Sequence, residues 1–395
     1  MNALIISHYF YPYLKVSAKR MTALAMFLHE KGHNVWVVHG NEIEYQNSTY
    51  SDKILLSDIE IIELKKFYIN PIKRKFLRPI QYWCEVKNII EDNAIDIVFI
   101  SSGPFNYLSI IPKIKKYWPN IKCVLDFRDV LDGADNNNNK KGIYKKVGYL
   151  LDLYTERNAV KVADLVMTVT ESMNIFYKKR YPKHREKFIN IMNGYDDITT
   201  SYSVLEEIKQ FTSYKKENAS YLTVGVFGKF GWYDHRYYDL FGKVLTRLHK
   251  NNIHIRLRQY GYEEIELKKS LRINEKNCYE YVESKGYEKD ILDLQRCDVA
   301  IATSHSKEAL GTKIFDYIFI NRPIIVLNPY IDGEMNRLVS RFKNGYPCTN
   351  EEDVYEAIVE LSEKKILMLS DDIKDLKCYG RRYQFSLLYE YLQNC

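Results

Sequence analysis

The chain has 395 residues, roughly two to three times the usual size of one domain, so two domains are expected. Hydrophobic residues make up 46% of it and charged residues 28%, with only 17 Gly and 10 Pro, which excludes collagen-like and disordered chains. The net charge of +7 lies in the first half, because residues 1–200 hold 29 Lys and Arg against 22 Asp and Glu. Two explanations stay open for this surplus: mild attraction to phosphate-bearing partners or an anionic membrane, or an uneven surface without function. It is too diffuse for a nucleic-acid binder.

The seven cysteines are scattered and form no CxxC pair or Cys/His ligand spacing, so neither a disulfide framework nor a zinc site is indicated. The first residues carry no basic segment and only a five-residue apolar run, which is too short for a signal peptide. No segment reaches about 18 apolar residues without a charge. These features predict a cytoplasmic protein that at most visits the inner face of the membrane.

The first half alternates between short apolar runs and segments of helical periodicity. Apolar runs predict strands at Ala3–Ser7, Val35–Val38, Ile95–Ile100, Cys123–Asp126, Leu165–Thr168 and Phe188–Met192. Helices are predicted between them at Ser17–Lys31, Tyr107–Tyr117, Tyr144–Lys161 and Glu171–Tyr181. Repeated βα units of this kind predict a doubly wound parallel sheet.

A polar stretch, Asp197–Ser220, predicts a linker that contains a helix, and a second series of βα units follows it. Its strands are predicted at Leu222–Phe227, Ile253–Gln259, Tyr279–Val282, Val299–Ala302 and Ile324–Leu327, and its helices at Tyr237–Lys250, Lys289–Gln295 and Lys313–Ile320. The sequence therefore predicts two domains, residues 1–198 and 199–379, with a last helix within 380–395 that returns to the first domain. Parallel sheets bind ligands at the carboxyl ends of their strands, so a central cleft is the expected active site.

Several short sequence segments within these two predicted domains resemble segments of one enzyme family. The opening IISHYFYPY is followed by SSGPF (101–105), LDFRD (125–129), MTVTES (167–172) and IMNGYD (191–196). CDVAIATS (297–304) and KEALGTKIFDYIFINRPIIVL (307–327) come later in the chain. In their order and spacing these strings are similar to retaining GT-B glycosyltransferases of family 4. The resemblance implies an α/β fold of two Rossmann-like domains that face a cleft.

The segment around Glu308 and Asp316 is expected to bind the donor. The two carboxylates are eight residues apart and bracket a loop and the first turn of a helix. Backbone N–H groups there, from Leu310, Gly311 and Thr312, are suited to a diphosphate. The resemblance implies that Glu308 contacts sugar hydroxyls as a catalytic residue and that Asp316 holds the nucleotide ribose.

The donor segment departs from the family pattern at Asp316, which is usually Glu and is here one methylene shorter. An i,i+3 pair between Lys313 and Asp316 is the alternative structural explanation. The family usually places a basic pair in the loop after the first strand of this domain; Lys229, Arg236 and Lys313 are the candidates, and each is alternatively a solvated surface charge. Lys229 is taken as catalytic, and Gly228 and Gly261 as turn residues of the donor site.

On the acceptor side, the loop 13–18 has no glycine where the family commonly has two. His8, Ser17 and Lys19 flank or lie in this loop and are expected to face the cleft, although a structural role for His8 is the alternative. Asp126, Arg128 and Asp129 follow a buried strand. Acceptor orientation or deprotonation is one interpretation, with Asp126 catalytic, and a salt bridge that only shapes the loop is the other.

Two stretches in the first domain, Lys65–Trp83 and Lys140–Tyr154, mix basic residues with aromatic and aliphatic ones. This composition is typical of segments at a membrane interface, and equally of amphipathic helices that pack on a sheet. An anionic membrane is therefore a candidate partner of the first domain.

Together these features predict a retaining glycosyltransferase that moves a sugar from a nucleotide-sugar donor to a glycan or lipid-linked acceptor. Cell-surface polysaccharide assembly, such as that of capsule or lipopolysaccharide, is the setting that the resemblance implies. No metal or other cofactor is expected, and nucleic acid is not an expected partner. The alternatives are an inactive GT-B paralogue that serves as a binding or assembly subunit, and a GT-B enzyme of another class, such as a sugar-nucleotide epimerase or a phosphorylase.

Overall fold

The computed structural model describes residues 1–13, 16–40, 56, 58–64, 71–131, 143–210, 221–232, 234–271, 278–364, 367–372 and 374–394. The chain divides into two compact units. The first unit comprises Met1–Met192 together with Phe385–Cys395, and the second comprises Asn193–Gln384.

The first unit is built on a seven-stranded sheet in the order β3-β2-β1-β4-β5-β6-β7, and all of its strand pairs are parallel. Most of its strands are short apolar runs, and in Ile97–Ser101 every residue is buried. Burial of both faces is what a parallel sheet with helices on each side requires. The strands are β1 (Asn2–Ser7), β2 (Asn34–His39), β3 (Glu60–Glu63), β4 (Ile97–Ser101), β5 (Lys122–Phe127), β6 (Leu165–Thr168) and β7 (Phe188–Asn190).

Helices connect these strands. They are Val16–Glu30, Pro71–Asn93, Ile110–Tyr117, Ile143–Val162 and Glu171–Arg180, with 3₁₀ turns at Phe105–Ser109 and Pro182–Lys187. The helix predicted over 107–117 thus begins as a 3₁₀ turn. The helix Arg381–Asn394 ends the described part of the chain, and its Phe385 packs 5.8 Å from the ring of Phe27.

The second unit contains a six-stranded sheet, again all parallel, in the order β10-β9-β8-β11-β12-β13. The strands are β8 (Leu222–Phe227), β9 (Ile255–Tyr260), β10 (Tyr279–Val282), β11 (Val299–Thr303), β12 (Ile324–Leu327) and β13 (Gly345–Cys348). Its helices are Tyr202–Gln210, Arg236–Lys250, Ile265–Leu271, Tyr287–Leu294, Lys313–Phe319, Glu334–Val339, Glu351–Glu363 and Lys374–Lys377.

The fold class predicted from the sequence is confirmed: two doubly wound parallel-sheet domains follow one another along the chain. The linker helix is present at Tyr202–Gln210, while residues 211–220 lie outside the described ones. Within the described residues, no helix has the length and apolarity needed to cross a membrane.

Candidate functional site

Two glycines lie at the carboxyl edge of the second sheet, at positions where the backbone adopts a conformation that favours glycine. Gly228 follows β8 with φ +71°, and Gly261 follows β9 with φ +76°. A left-handed backbone of this kind is rarely adopted by residues with a Cβ. The Gly228 N–H donates to Tyr260 O over 2.9 Å, and the Gly261 N–H donates to Val282 O over 3.0 Å. Each glycine thereby turns the chain out of its strand at the edge where ligands bind in parallel sheets.

A buried carboxylate, Glu264, holds the loop that leaves Gly228. It is 2% exposed and accepts hydrogen bonds from Phe230 N (2.6 Å), Gly231 N (3.2 Å), Tyr238 Oη (2.8 Å) and Gln259 Nε2 (2.7 Å). Four donors on one buried carboxylate satisfy the hydrogen-bonding capacity of its oxygens. The sequence prediction missed Glu264, because its role depends on burial and on partners up to 34 residues away.

Lys229 lies in this loop, with its ammonium over a pair of aromatic rings. Nζ is 3.9 Å from the centroid of Trp232 and 5.2 Å from that of Tyr262. The two rings meet edge to face at 5.6 Å, and Trp232 is half-exposed. A cation over ring faces is attracted by their electrons, and its N–H groups can still turn toward an anion.

Lys313 joins the first turn of its helix to the same loop. Its Nζ donates to the backbone carbonyl of Lys229 over 2.6 Å. Burial lowers the pKa of the Lys313 ammonium to about 8, although the nearby charge of Glu264 opposes the shift. The structure therefore brings Lys229 and Lys313, two of the three predicted basic candidates, to one loop.

Asp316 lies one turn along the helix from Lys313 and accepts a hydrogen bond from Tyr287 Oη over 2.6 Å. Burial, together with the charge of Asp316, raises the pKa of the Tyr287 hydroxyl well above its usual value, so the tyrosine stays a donor. Arg381 belongs to the same electrostatic neighbourhood and forms a buried ion pair with Asp196 at 2.5 Å. The sequence prediction also missed Tyr287.

Glu308 is exposed in the loop between β11 and this helix, where Ser306 shapes the backbone. Ser306 Oγ accepts from the N–H groups of Glu308 and Ala309, each over 3.2 Å, and donates to Glu308 Oε2 over 3.2 Å. Leu310, Gly311 and Thr312 complete the loop and are partly buried. A Cβ on Gly311 would be 3.9 Å from Met335 Sδ, so the surrounding protein leaves space there.

Arg236 is engaged within its own loop. Its side chain is 83% exposed, and its guanidinium donates to both carboxylate oxygens of Asp234, with Nη2 to Oδ2 at 2.6 Å. These hydrogen bonds hold the pKa of Asp234 below its usual value. Arg236 opens the helix Arg236–Lys250, whereas Lys229 and Lys313 meet on the loop that follows β8.

In the first unit, Asp126 stands at the end of β5 and is fully buried. Its Oδ1 accepts from Arg20 Nε at 3.0 Å and its Oδ2 from Ser101 Oγ at 2.9 Å. Arg20 also donates to the carbonyls of Ile191 (2.9 Å) and Met192 (2.8 Å). Asp126 therefore forms its ion pair with the distant Arg20, where the sequence had suggested Arg128.

The other acceptor-side candidates lie near the same sheet edge. Arg128 is partly buried and donates to Ser102 O over 2.9 Å, while the exposed Asp129 accepts at its backbone oxygen from Tyr177 Oη. His8 is 3% exposed and meets the Tyr9 ring edge to face at 4.6 Å, and Lys19 is partly buried. Ser17 lies in the first helix, but its side chain is outside the described part.

Over the described ranges, no group of three or more His, Cys, Asp or Glu side chains is placed to hold a metal ion. At the loop after β8 the structure brings together the amines of Lys229 and Lys313, and the carboxylate of Asp316 lies one turn along the helix from Lys313. Such a set suits an anion with hydroxyl groups beside it, because ammonium groups bind phosphate oxygens and carboxylates accept from hydroxyls.

No protein-family model matches the sequence, and a search of curated proteins finds no match. Solved structures do match over nearly the whole chain. A glycosyltransferase from Rickettsia africae ESF-5 has a TM-score of 0.64 at 16% identity and covers 100% of this chain and 98% of its own. WaaG, a glycosyltransferase involved in lipopolysaccharide biosynthesis, has a TM-score of 0.56 at 15% identity and covers 97% and 94%.

A third match is a UDP-GlcNAc 2-epimerase from Neisseria meningitidis bound to UDP-GlcNAc. Its TM-score is 0.60 at 12% identity, and each chain is covered completely. The chain has the GT-B fold. At these identities the similarity establishes the GT-B architecture, and this fold carries both transferases and epimerases, so function has to be argued from the site.

Proposed function

We propose that this GT-B protein is a glycosyltransferase that uses a nucleotide-sugar donor, with the donor bound to the second unit. The observation that carries the proposal is the arrangement at the carboxyl edge of that unit's sheet. Lys313 donates to the loop of Lys229, and Asp316 lies one turn farther along the same helix. Two amines and a carboxylate at one sheet edge match a diphosphate joined to a ribose.

Each group has a chemical task in this proposal. Lys229 and Lys313 stabilise the charge that develops on the diphosphate as the glycosidic bond breaks. Asp316 accepts from ribose hydroxyls, and Glu308 accepts from hydroxyls of the transferred sugar. Backbone N–H groups of residues 310–312 contribute further donors. The two amines neutralise the leaving group, so the proposal requires no metal ion.

Transfer proceeds with retention in this proposal, through an oxocarbenium-like transition state. The departing phosphate takes the acceptor proton on the same face of the sugar, so no dedicated base is needed. The buried ion pair of Asp126 with Arg20 then shapes the acceptor edge of the first unit, while Arg128, Asp129 and Lys19 supply polar contacts to the acceptor. His8 stands at the end of β1 beside them.

A lipid-linked acceptor is favoured by an exposed apolar patch on the first unit. Lys75 joins the helices Pro71–Asn93 and Ile143–Val162 by donating to Gly148 O (2.7 Å) and Asp152 Oδ2 (2.9 Å). The patch residues are 37–67% exposed. They are Phe76, Leu77, Ile80, Val147, Leu150, Leu151 and Tyr154.

The patch is flanked by the exposed Lys73 and Lys146, and the half of the chain that contains it has a positive surplus. Apolar residues beside lysines fit the surface of an anionic bilayer. Both helices begin within the stretches Lys65–Trp83 and Lys140–Tyr154, whose composition is typical of an interfacial segment and equally of packed amphipathic helices. Residues 65–70 and 140–142 of these stretches lie outside the described ones. We therefore place the acceptor's lipid at the cytoplasmic face of the membrane.

Sedimentation with vesicles tests the membrane contact. Wild-type protein should pellet with phosphatidylglycerol vesicles and less with phosphatidylcholine vesicles, and the binding should weaken as salt rises. The double variant Phe76→Ser, Leu150→Ser should stay in the supernatant. Ile175→Ser, which changes a 41% exposed residue on another helix of the same unit, is the matched control. Equal sedimentation of all three proteins would refute the patch as the contact.

A sugar-nucleotide 2-epimerase is the second candidate, because the matched Neisseria epimerase covers the whole chain. An epimerase changes the sugar of its substrate without an acceptor, whereas a transferase requires one. Acceptor dependence therefore separates the two candidates.

Donor binding is tested first by thermal denaturation with UDP, GDP, ADP, CMP and their sugars. A ligand of the native state raises the melting temperature. One nucleotide should stabilise the wild type, and its effect should shrink in Lys229→Ala. The matched control is Lys243→Ala, which changes an exposed lysine in the helix Arg236–Lys250. No stabilisation by any member of a broad panel would contradict the proposal.

A further inference from the structure

Three arginines in the described part of the chain are 1% exposed: Arg20, Arg78 and Arg322. Two of them have acceptors. Arg20 is paired with Asp126, and Arg322 donates to the carbonyls of Gln295 (2.6 Å) and Leu367 (3.0 Å). Arg78 differs, because none of its nitrogens Nε, Nη1 and Nη2 has a hydrogen-bond partner among the described residues.

Arg78 lies at the carboxyl edge of the first sheet, the edge at which parallel sheets generally bind ligands. A Cβ built on Gly40 would stand 2.8 Å from Arg78 Nη1 and 2.5 Å from His8 Nδ1, so both groups converge on that glycine. His8 follows β1, Gly40 follows β2, and these strands are neighbours with Ser7 opposite His39. The guanidinium therefore reaches the carboxyl ends of two adjacent parallel strands.

The helix that carries Arg78 is anchored on both sides of it. Three residues earlier, Lys75 donates to Gly148 O and Asp152. Four residues later, the buried Tyr82 stacks on Tyr107 at 5.1 Å and donates to Ser7 O over 3.4 Å. These contacts on either side of Arg78 hold its helix against the sheet and keep the guanidinium at the sheet edge.

An arginine keeps its charge at all physiological pH values, and burial of a charge without a partner is strongly unfavourable. A guanidinium presents a planar fork that matches the oxygens of phosphate or carboxylate. We propose that Arg78 binds an oxyanion, a phosphate or carboxylate group of the acceptor, at the carboxyl ends of β1 and β2. The assignment of this anion to the acceptor rests on the proposed function, whereas the existence of the anion site does not depend on it.

The test uses the full-length protein, with inorganic phosphate and acetate as probes and the melting temperature as readout. Wild-type protein should be stabilised saturably by one of the two anions, by about 3–6 °C at ten times the dissociation constant. Arg78→Met should lose that stabilisation. In anion-free buffer it should melt at or above the wild-type temperature, because removal of an unpaired buried charge does not destabilise. Comparison of the two anions identifies the oxyanion.

Arg322→Met is the matched control for loss of a buried arginine. It should melt at a lower temperature in every buffer, because the carbonyls of Gln295 and Leu367 lose their donors, and it should keep the anion response. If Arg78→Met instead resembles Arg322→Met, Arg78 is structural and the inference is wrong. A response lost in Lys229→Ala but kept in Arg78→Met would place the anion in the second unit and overturn it as well.

The anion test and the nucleotide test of the proposed function give independent results. An anion response that depends on Arg78, in a protein that no nucleotide stabilises, would support the site and contradict the donor assignment. Stabilisation by a nucleotide, with an anion response that does not depend on Arg78, would support the donor assignment and contradict the anion site.

Discussion

The hydroxyl of Tyr287 donates to Oδ1 of Asp316 over 2.6 Å, although the two residues are 29 positions apart. This bond fixes the carboxylate that we assign to the nucleotide ribose. The family that the sequence resembles usually has Glu at this position, and here the shorter Asp side chain is held by a tyrosine from a second helix. Tyr287 is thus a positioning residue for Asp316.

Tyr287→Phe should weaken nucleotide-sugar binding about 5- to 30-fold, because the lost bond to a charged acceptor contributes roughly 1–2 kcal/mol. The turnover rate at saturating donor should change little, since the tyrosine acts through Asp316. Isothermal titration and initial rates measure the two effects. An unchanged affinity would show that Asp316 is oriented without the hydroxyl.

Glu308 and Asp316 should separate in function. Glu308→Ala should reduce transfer by about 100-fold or more while nucleotide affinity stays nearly intact, because its contacts are to the sugar. Asp316→Ala should weaken nucleotide binding by about 10-fold or more through loss of the ribose contacts. Equal loss of both properties in both variants would contradict the separate roles.

Glu264→Ala should destabilise the second unit by about 3 kcal/mol, because four donors, two of them backbone N–H groups, lose their buried acceptor. Urea denaturation measures the change. The neighbouring Glu263, whose pairing with Lys268 is near the surface, provides the control, and Glu263→Ala should shift stability by less than about 0.5 kcal/mol. If the two variants change the free energy of unfolding by similar amounts, Glu264 does not hold the loop as assigned.

The lowered pKa of Lys313, about 8 against 10.5 for an ordinary lysine, predicts a pH dependence. The unfolded chain binds the proton more tightly than the folded one, so folding stability should rise between pH 8 and 10.5. Lys313→Met should flatten that rise. Nucleotide affinity should fall over the same range in the wild type as the ammonium loses its charge, and less in Lys313→Arg. A nucleotide affinity that does not depend on pH would argue against Lys313 as a diphosphate ligand.

Much of the fold could be read from the sequence because strands of a parallel sheet are short runs of apolar residues. Leu165–Thr168 and Leu222–Phe227 were predicted with the bounds that the structure gives. The missed strands lie at sheet edges. Glu60–Glu63 begins and ends with charges, and Gly345–Cys348 contains Pro347, which only an edge position tolerates.

Fewer of the residues of the candidate site could be predicted from the sequence, for a physical reason. Glu308 and Asp316 belong to a contiguous string, and the glycines after β8 and β9 mark turns that a sequence can suggest. Glu264 and Tyr287 are ordinary polar residues in the sequence, and they gain a role only through burial and through distant partners. The same holds for Arg20 and Asp126, which are 106 positions apart.

The most direct test of the central claim follows a nucleotide sugar by nuclear magnetic resonance, first with the protein alone and then with lipid-linked or glycan acceptors. The sugar nucleotide is the one that stabilises the protein in the thermal panel. We predict that the protein alone leaves the configuration of the sugar unchanged. Addition of acceptor should release the nucleoside diphosphate and form a glycoside that keeps the anomeric configuration of the donor. A change of configuration at C2 without any acceptor would contradict the transferase account and identify an epimerase.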